Sequence, residues 1–267
     1  MKLAIAIPAR YGSSRFPGKP LTTISGQTML SRVVELAKAI AKDYDDFDVF
    51  VTTEDQRIAD HCVELKVPCI ITPAHCPTGS DRVLAALRQF DEWPDFIINL
   101  QGDAPFTPPH VITALIDAFK ANPHAEVVTP VHALSWHDLD RLREAKKITP
   151  FSGTTAILNE DNRALWFSKN IIPAIRKEEQ LRTQSDTSPI YQHMGLYGFR
   201  TSVLERFCTL PEGSYEQLEG LEQLRLIENN IEITAVPVTI EKGTIQSGID
   251  TPEDVERAEK ILAERAL

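Results

Sequence analysis

The residues with the clearest chemical meaning form a basic loop near the start of the chain. Arg10, Arg15 and Lys19 lie close together, and no acidic residue precedes Glu35, although the whole chain has 38 acidic and 28 basic residues. Cations without a nearby acid repel one another unless an anion joins them. The same loop carries the small residues Gly12, Ser13 and Ser14. Small residues let backbone N–H groups approach phosphate oxygens closely, so the loop predicts a polyphosphate site.

Two common nucleotide motifs do not describe this loop. A P-loop needs a Lys followed by Ser or Thr, whereas Lys19 is followed by Pro20. The dinucleotide fingerprint G-x-G-x-x-G is also missing. The loop therefore does not predict ATPase or dinucleotide chemistry. The alternative to a phosphate site is a solvated turn shaped by its prolines.

Two aspartates are candidate ligands for a hard cation. Asp103 follows the apolar run 96–100 in the turn Gln101-Gly102-Asp103. Asp250 directly precedes Thr251, which can cap a helix that has Pro252 at its first position and Asp254 three residues after the cap. Mg²⁺ prefers one or two carboxylates together with phosphate oxygens and water. Asp250 has a second interpretation, since it and Asp254 could simply complement the dipole of that helix. The spacing alone leaves both interpretations open.

The elements that must position these residues follow an alternating pattern. Short β-rich runs alternate with amphipathic stretches, which is typical of a mostly parallel sheet flanked by helices. We predict strands at 3–7, 48–52, 68–72 and 96–100, and helices at 29–40, 56–65 and 80–90. Ligands of open α/β sheets bind outside the carboxyl ends of strands, so the loops after Ile7 and Leu100 are the first candidates for a site.

The second half of the chain is less regular. We predict extended segments at 127–131, 154–158, 194–199 and 231–240, and helices at 138–146 and 216–229. The charged stretch 176–188 lacks apolar anchors and predicts a mobile surface segment. No stretch has a linker composition, so the sequence predicts one domain.

Composition narrows the class of protein further. The chain has 267 residues, of which 42% are hydrophobic, and a formal net charge of −10. This charge argues against a nucleic-acid partner, because phosphate backbones need broad basic surfaces. No apolar run approaches the length of a membrane span, and the first residues lack a signal-peptide pattern. We expect a cytoplasmic protein without a membrane partner, whose four cysteines are reduced thiols.

Several blocks of sequence together resemble a known family, the 3-deoxy-manno-octulosonate cytidylyltransferases, and more distantly the acylneuraminate cytidylyltransferases. The resemblance covers nearly the whole chain. It is carried by the opening loop and by five further blocks, 78–82 (TGSDR), 101–103 (QGD), 164–168 (ALWFS), 193–200 (HMGLYGFR) and 221–225 (LEQLR). It implies a nucleotide-diphospho-sugar transferase type of α/β fold, Rossmann-like, with a smaller subregion at about 130–215 that closes over the sugar and builds the contact of a homodimer.

The resemblance also implies an activity. Members join the CMP part of CTP to 3-deoxy-D-manno-octulosonate (Kdo) and release pyrophosphate, which activates the sugar for lipopolysaccharide biosynthesis. The alternatives are a cytidylyltransferase for another ulosonic acid, such as an acylneuraminate or an amino-substituted octulosonate, and a nucleotide-binding protein without catalysis.

Site residues follow from the resemblance by position. Those implied to act in catalysis are Arg10, Lys19 and Asp103. Those implied to bind CTP are Ala9, Arg10, Ser13, Arg15, Lys19, Thr78, Gly79, Ser80 and Gln101. Those implied to bind the sugar acid are Arg82, Gln101, His193, Tyr197, Glu222 and Gln223. Asp103 and Asp250 are implied to bind Mg²⁺, which favours the functional interpretation of Asp250.

The chain departs from the family pattern at three places. Ala104 stands where Glu is common, and Lys169 stands where Arg is common. Lys keeps the charge of Arg but loses its planar fork. The segment 149–155 also lacks the expected Val-Lys-Val strand. These departures bear on the identity and affinity of the sugar more than on the type of reaction.

Overall fold

The structure is a computed structural model that describes residues 1–12, 16–241, 248–249 and 251–265. Its strands are β1 (Leu3–Pro8), β2 (Thr23–Ile24), β3 (Gln27–Thr28), β4 (Phe47–Thr53), β5 (Cys69–Ile71), β6 (Phe96–Asn99), β7 (Val127–Ser135), β8 (Thr155–Leu158), β9 (Ala164–Ser168), β10 (Thr187–His193), β11 (Tyr197–Arg200) and β12 (Ile233–Pro237). Its α-helices are α1 (Met29–Ala41), α2 (Gln56–Glu64), α3 (Gly79–Leu87), α4 (Pro109–Ala121), α5 (Trp136–Ile148), α6 (Glu178–Arg182), α7 (Thr201–Thr209), α8 (Ser214–Glu219), α9 (Gln223–Glu228) and α10 (Pro252–Arg265). No helix in the described ranges has the length and apolar character needed to cross a bilayer.

The chain divides into two compact units. Unit 1 comprises Met1–Thr113, Gly198–Cys208 and the described residues beyond 241, and unit 2 comprises Ala114–Tyr197 and Thr209–Glu241. In unit 1 the strands β5, β4, β1 and β6 pair in parallel in that order. All six residues of β1 are buried, as expected of a central strand covered on both faces. The carboxyl ends of β1, β4 and β6 therefore meet at one edge.

Unit 2 is built mainly from antiparallel strands. β7 pairs with β10, β10 with β8, and β8 with β9, all antiparallel, while β12 runs parallel to β7. A single bridge between Arg163, just before β9, and Thr234 of β12 closes this sheet on itself at one point. The segment 176–188 is not an unanchored surface stretch as predicted. It contains α6, where Leu181 packs against a buried cluster that includes Trp136 and Ile190.

Charge explains why so polar a segment is ordered. Glu178 accepts hydrogen bonds from both Arg143 and Arg182, and these guanidinium groups lower the pKa of Glu178 to about 2. The Arg182 guanidinium also lies 4.6 Å from the centre of the Trp136 ring. One leucine and this ion network replace the missing apolar anchors.

The prediction of one helix over 216–229 is also wrong in part. The region forms the two short helices α8 and α9, separated at Gly220, which has a left-handed φ of 62°. A buried ion pair fixes the two helices, because the guanidinium of Arg225 donates to both carboxylate oxygens of Glu216 at 2.7 and 2.6 Å. The side chains of Arg225 and Glu216 are only 7% and 10% exposed.

Breaking this pair should destabilise the fold far more than breaking an exposed pair. Arg225→Met leaves the Glu216 carboxylate buried without its cation, and we expect a loss of about 3–5 kcal/mol in the free energy of unfolding. The matched control is Lys147→Met, which removes the exposed pair with Glu144 and should cost at most about 1 kcal/mol. Urea unfolding of both variants measures the difference. Equal losses would contradict this account of α8 and α9.

Candidate active site

A cavity of about 220 Å³ lies in unit 1 at the carboxyl ends of β1 and β6. Its lining residues are Pro8, Ala9, Arg10, Lys19, Pro20, Cys76, Pro77, Thr78, Gly79, Arg82, Gln101, Gly102 and Asp103. The structure thus brings together the opening loop, the start of α3 and the loop after β6. These are the segments in which the sequence placed CTP and the metal.

Tight backbone packing brings these segments together. A Cβ atom added to Gly102 would lie 3.0 Å from the carbonyl oxygen of Pro8, and one added to Gly79 would lie 3.3 Å from the amide of Gln101. A larger residue at Gly102 would therefore require the backbone at the end of β1 to shift by a few tenths of an ångström. Gln101 is held in turn, because its amide donates to Asn99 at 3.2 Å.

The cavity contains one short ion pair. Lys19 Nζ lies 2.6 Å from Asp103 Oδ2, and the Lys19 side chain is 10% exposed whereas that of Asp103 is 35% exposed. Lys19 begins a short 3₁₀ helix, Lys19–Leu21, which directs it inward. Arg10 lies at the cavity wall and is exposed. A cation and a carboxylate thus stand together where an anionic ligand can enter.

Three predicted site residues, Ser13, Arg15 and Asp250, lie outside the described residues. Ile249, the neighbour of Asp250, lies close to the cavity, since its N–H donates to the carbonyl oxygen of Asp103 at 3.0 Å. The predicted cap of the next helix is confirmed, because Thr251 N donates to Asp254 Oδ2 at 3.0 Å and α10 begins at Pro252.

Asp103 fits the chemistry of a magnesium ligand. Its carboxylate borders the cavity beside Lys19, and Mg²⁺ needs only one or two carboxylates when phosphate oxygens complete its shell. Within the described ranges no group of three or more His, Cys, Asp or Glu side chains could hold a metal by itself. A cation here would therefore depend on ligand phosphates, with Asp250 as the candidate second carboxylate.

The start of α3 supplies structure as well as lining. Thr78 and Asp81 form a reciprocal capping box, which fixes where the helix begins. Ser80 is not among the lining residues; it is buried, and its hydroxyl accepts from Asn99 at 3.4 Å. Arg82 is 3% exposed, and its Nη1 lies 2.8 Å from Thr72 Oγ1 and 2.8 Å from Glu54 Oε2.

The predicted sugar residues His193, Tyr197, Glu222 and Gln223 all lie in unit 2. The hydroxyl of Thr129 lies 2.8 Å from His193 Nε2 and 2.8 Å from the carbonyl oxygen of Leu196. Since the single hydroxyl proton goes to the carbonyl, His193 must donate its Nε2 proton to Thr129. Nδ1 of the neutral ring is then an acceptor that suits a sugar hydroxyl.

Burial sets the protonation of the residues around this ring. Burial and the charge of Lys169 lower the pKa of His193 to about 3. Burial and the charge of Glu222 raise the pKa of Tyr197 well above its usual value, so the phenol keeps its proton. Gln223 is 5% exposed, and its Nε2 has no hydrogen-bond partner within the described part of the chain. Buried amides nearly always have a partner, so this amide is a candidate contact for a bound ligand.

Two of the lysines of unit 2, Lys146 and Lys169, lie at or near the places where the chain departs from the family pattern. Lys146 Nζ donates to the carbonyl oxygens of Ser152, Gly153 and Lys169 at 2.5, 3.0 and 2.6 Å. The segment 149–155 is therefore organised around an ammonium group. Lys169 is half-buried, its backbone N–H donates to Glu219 at 2.8 Å, and burial lowers the pKa of its side chain.

A parallel sheet with a basic loop and a carboxylate at its carboxyl edge defines an α/β nucleotidyltransferase of the nucleotide-diphospho-sugar transferase type. Comparison with known proteins agrees. A family model described as "Cytidylyltransferase" matches residues 4–233. A 3-deoxy-manno-octulosonate cytidylyltransferase of Maricaulis maris is 41% identical, with 98% of each chain covered, and one of Nitratidesulfovibrio vulgaris (strain DP4) is 39% identical, with 97% of this chain and 95% of the relative covered.

A solved structure shows the same relationship. CMP:2-keto-3-deoxy-manno-octonic acid synthetase complexed with CTP superposes with a TM-score of 0.85 at 33% identity, covering 99% of this chain and 100% of that one. The chain belongs to the 3-deoxy-manno-octulosonate cytidylyltransferase family. The predicted family and fold class are confirmed; the domain limits and the individual site residues stay predictions.

Sequence reasoning missed several residues that contact Arg82 or Lys169. Glu54, the partner of Arg82, directly follows β4, so the rule that ligands gather at carboxyl ends of strands could have found it. No sequence signal pointed to Lys146 or Glu219, because their contacts depend on how distant segments of unit 2 fold together.

His193 gives a prediction about pH. Because its pKa in the folded protein is about 3 against an ordinary value of 6.5, the unfolded chain binds the extra proton first. The contribution of this residue to stability is therefore complete above pH 6.5 and declines as the pH falls toward 3. Nitrogen-15 NMR should show a neutral ring with its proton on Nε2 from pH 8 to about pH 5, with His193→Gln for assignment. Titration of this ring near pH 6.5 would contradict the prediction.

Proposed function

We propose that this protein transfers CMP from CTP to Kdo, giving CMP-Kdo and pyrophosphate. The observation that carries the proposal is the Lys19–Asp103 pair, 2.6 Å apart, in a cavity lined by most of the residues predicted to bind CTP. This arrangement places positive charge for a triphosphate beside a carboxylate suited to a divalent cation.

The chemistry is an in-line substitution at the α-phosphorus of CTP by the anomeric hydroxyl of the sugar acid. Arg10 and Lys19 hold the triphosphate and offset the charge that builds on departing pyrophosphate. Mg²⁺, which we propose is held by Asp103 and Asp250, would supply Lewis acidity toward phosphate oxygens. When the triphosphate binds, Lys19 moves from Asp103 toward the phosphates. The Asp103 carboxylate can then bind a cation.

The residues of unit 2 support a polyhydroxylated acid as the second substrate. His193 offers an acceptor, the Tyr197 phenol a donor, and Gln223 an amide that is buried without a partner inside the described ranges. We propose that Lys169 meets the carboxylate of the sugar acid as a single charge, since it lacks the guanidinium fork. A pocket with both kinds of hydrogen-bonding group suits a ligand that is rich in hydroxyls.

The remaining features of the proposal concern assembly and location. We propose a homodimer; the exposed apolar side chains Leu165, Tyr215 and Leu218 of unit 2 support it. Light scattering would then give twice the 29.9 kDa of one chain. A reducing compartment such as the cytoplasm suits the four cysteines, which are all free thiols.

A pyrophosphate-release assay tests the function directly. The four ribonucleoside triphosphates are crossed with Kdo, an amino-substituted octulosonate and N-acetylneuraminate, and we expect release with CTP and Kdo. Asp103→Asn should lower the rate by about 10²–10³-fold, as expected when a key electrostatic group is removed. Asp91→Asn, at an exposed position of unit 1, is the matched control and should keep the full rate.

The possible outcomes separate the rival functions. Release with CTP and another ulosonic acid, but not with Kdo, would assign a different sugar. CTP binding without release under any combination would indicate a nucleotide-binding protein without catalysis. An Asp103→Asn variant within twofold of the parent would refute the role of that carboxylate.

Gln223 tests the sugar pocket separately. Gln223→Leu keeps the size of the side chain but removes its hydrogen bonds, and we expect the KM for the sugar acid to rise about tenfold or more while the KM for CTP changes little. Gln217→Leu, at an exposed position on α8, is the control. Initial rates at varied sugar concentration measure both. A KM for the sugar acid that equals the parent value would contradict a contact between Gln223 and the sugar acid.

A further inference from the structure

A stacked pair in unit 1 has no part in the function described so far. The guanidinium carbon of Arg57 lies 3.3 Å from the centre of the Tyr11 ring. Arg57 is held in a plane by Asp55, whose carboxylate accepts from Nε at 2.9 Å and from Nη2 at 2.6 Å. Because Asp55 binds the edge of the planar guanidinium, one flat face of the group can stack on an aromatic ring.

The position of Asp55 is itself fixed by the fold. Asp55 is the N-cap of α2, and its Oδ1 also accepts from the Arg57 N–H at 3.0 Å. The orientation of its carboxylate is thus set by the start of the helix. The Asp55 side chain is 18% exposed whereas that of Arg57 is 58% exposed, so the anchor is sheltered and the stacked group faces solvent.

Tyr11, the other residue of the stacked pair, is connected to residues that line the cavity. Tyr11 follows Arg10 directly, and its ring packs on Gly18, where an added Cβ would lie 3.1 Å from Tyr11 Cζ and Oη. The Gly18 N–H donates to the Tyr11 carbonyl oxygen at 2.9 Å. Gly18 has a φ of 73° and is the N-cap of the 3₁₀ helix that begins at Lys19. Tyr11 therefore links Arg10, which precedes it in the chain, to Gly18, which precedes Lys19.

We propose that Asp55 and Arg57 are positioning residues for CTP, which act through Tyr11 and Gly18 to hold Arg10 and Lys19 in place. This inference rests on the proposed function. Arg57 does not touch the substrate in this scheme. It presses the Tyr11 ring onto Gly18 and so limits the positions that the neighbouring cations can take before CTP binds.

The physical reason is preorganisation. Loop residues that are held in place before binding lose less conformational entropy when the ligand arrives. A stack of Arg on an aromatic ring at an exposed site is a modest interaction, so its loss should weaken CTP binding without unfolding unit 1. The effect should appear in the binding of CTP and not in that of the sugar acid.

The experiment uses the full chain and follows both substrates. Arg57→Ala should weaken CTP binding, measured by calorimetry without sugar acid, by about twofold to fivefold. The KM for CTP should rise by a similar factor, while kcat, the KM for the sugar acid and the melting temperature stay close to those of the parent. Tyr11→Leu should give the same loss, and the double variant should be no worse than either one alone.

Two further variants separate positioning from a general structural role. Tyr11→Phe keeps the stacked ring and should bind CTP as the parent does. Arg141→Ala, which removes an exposed arginine paired with Asp138 at 3.7 Å, should change nothing and serves as the matched control.

The results decide between this inference and the function on which it rests. An active parent with an Arg57→Ala variant of unchanged CTP affinity would overturn the inference alone, as would additive losses in the double variant. A parent that neither binds CTP nor releases pyrophosphate would overturn the proposed function together with the inference.

Discussion

The candidate active site depends on one short ion pair, between Lys19 and Asp103, which lie 84 residues apart in sequence and 2.6 Å apart in space. The pair is possible because β1 and β6 are parallel neighbours whose carboxyl ends meet. The sheet thus determines that a cation and a carboxylate share one cavity. Each group limits the other, since a buried lysine needs a counter-charge. A divalent cation beside Asp103 would need ligand phosphates to bring further negative charge.

Paired charges also stabilise the part of unit 2 that carries the residues predicted to bind the sugar acid. The buried Arg225–Glu216 pair fixes α8 and α9, and these helices carry Glu219 at the end of α8 and Gln223 at the start of α9. Glu219 accepts from Ser168 and from the backbone of Lys169. Polar groups whose hydrogen-bond partners lie within the protein thus hold these segments of unit 2 in place. The Gln223 amide differs from them, because its Nε2 is buried without a partner among the described residues.

Several elements around the candidate site were predictable from sequence, because their local patterns are strong. The buried run before Asp103, the capping signals around Thr251 and the basic loop each predicted an element or role without the structure. The order of segment 176–188 was not predictable, because it depends on the contact of Leu181 with a buried cluster formed by β7, α5 and β10. The same holds for Lys146, whose carbonyl partners include Ser152, a few residues further along the chain, and Lys169, just after β9. Local composition carries no trace of such contacts.

The most direct test is a crystal structure of the protein with CTP and Mg²⁺. The account predicts that the triphosphate lies between Arg10 and Lys19, with a magnesium ion bound to Asp103 and to phosphate oxygens, and with the Lys19–Asp103 distance longer than 2.6 Å. A triphosphate bound elsewhere, with Lys19 still paired to Asp103 and no cation beside that carboxylate, would contradict it.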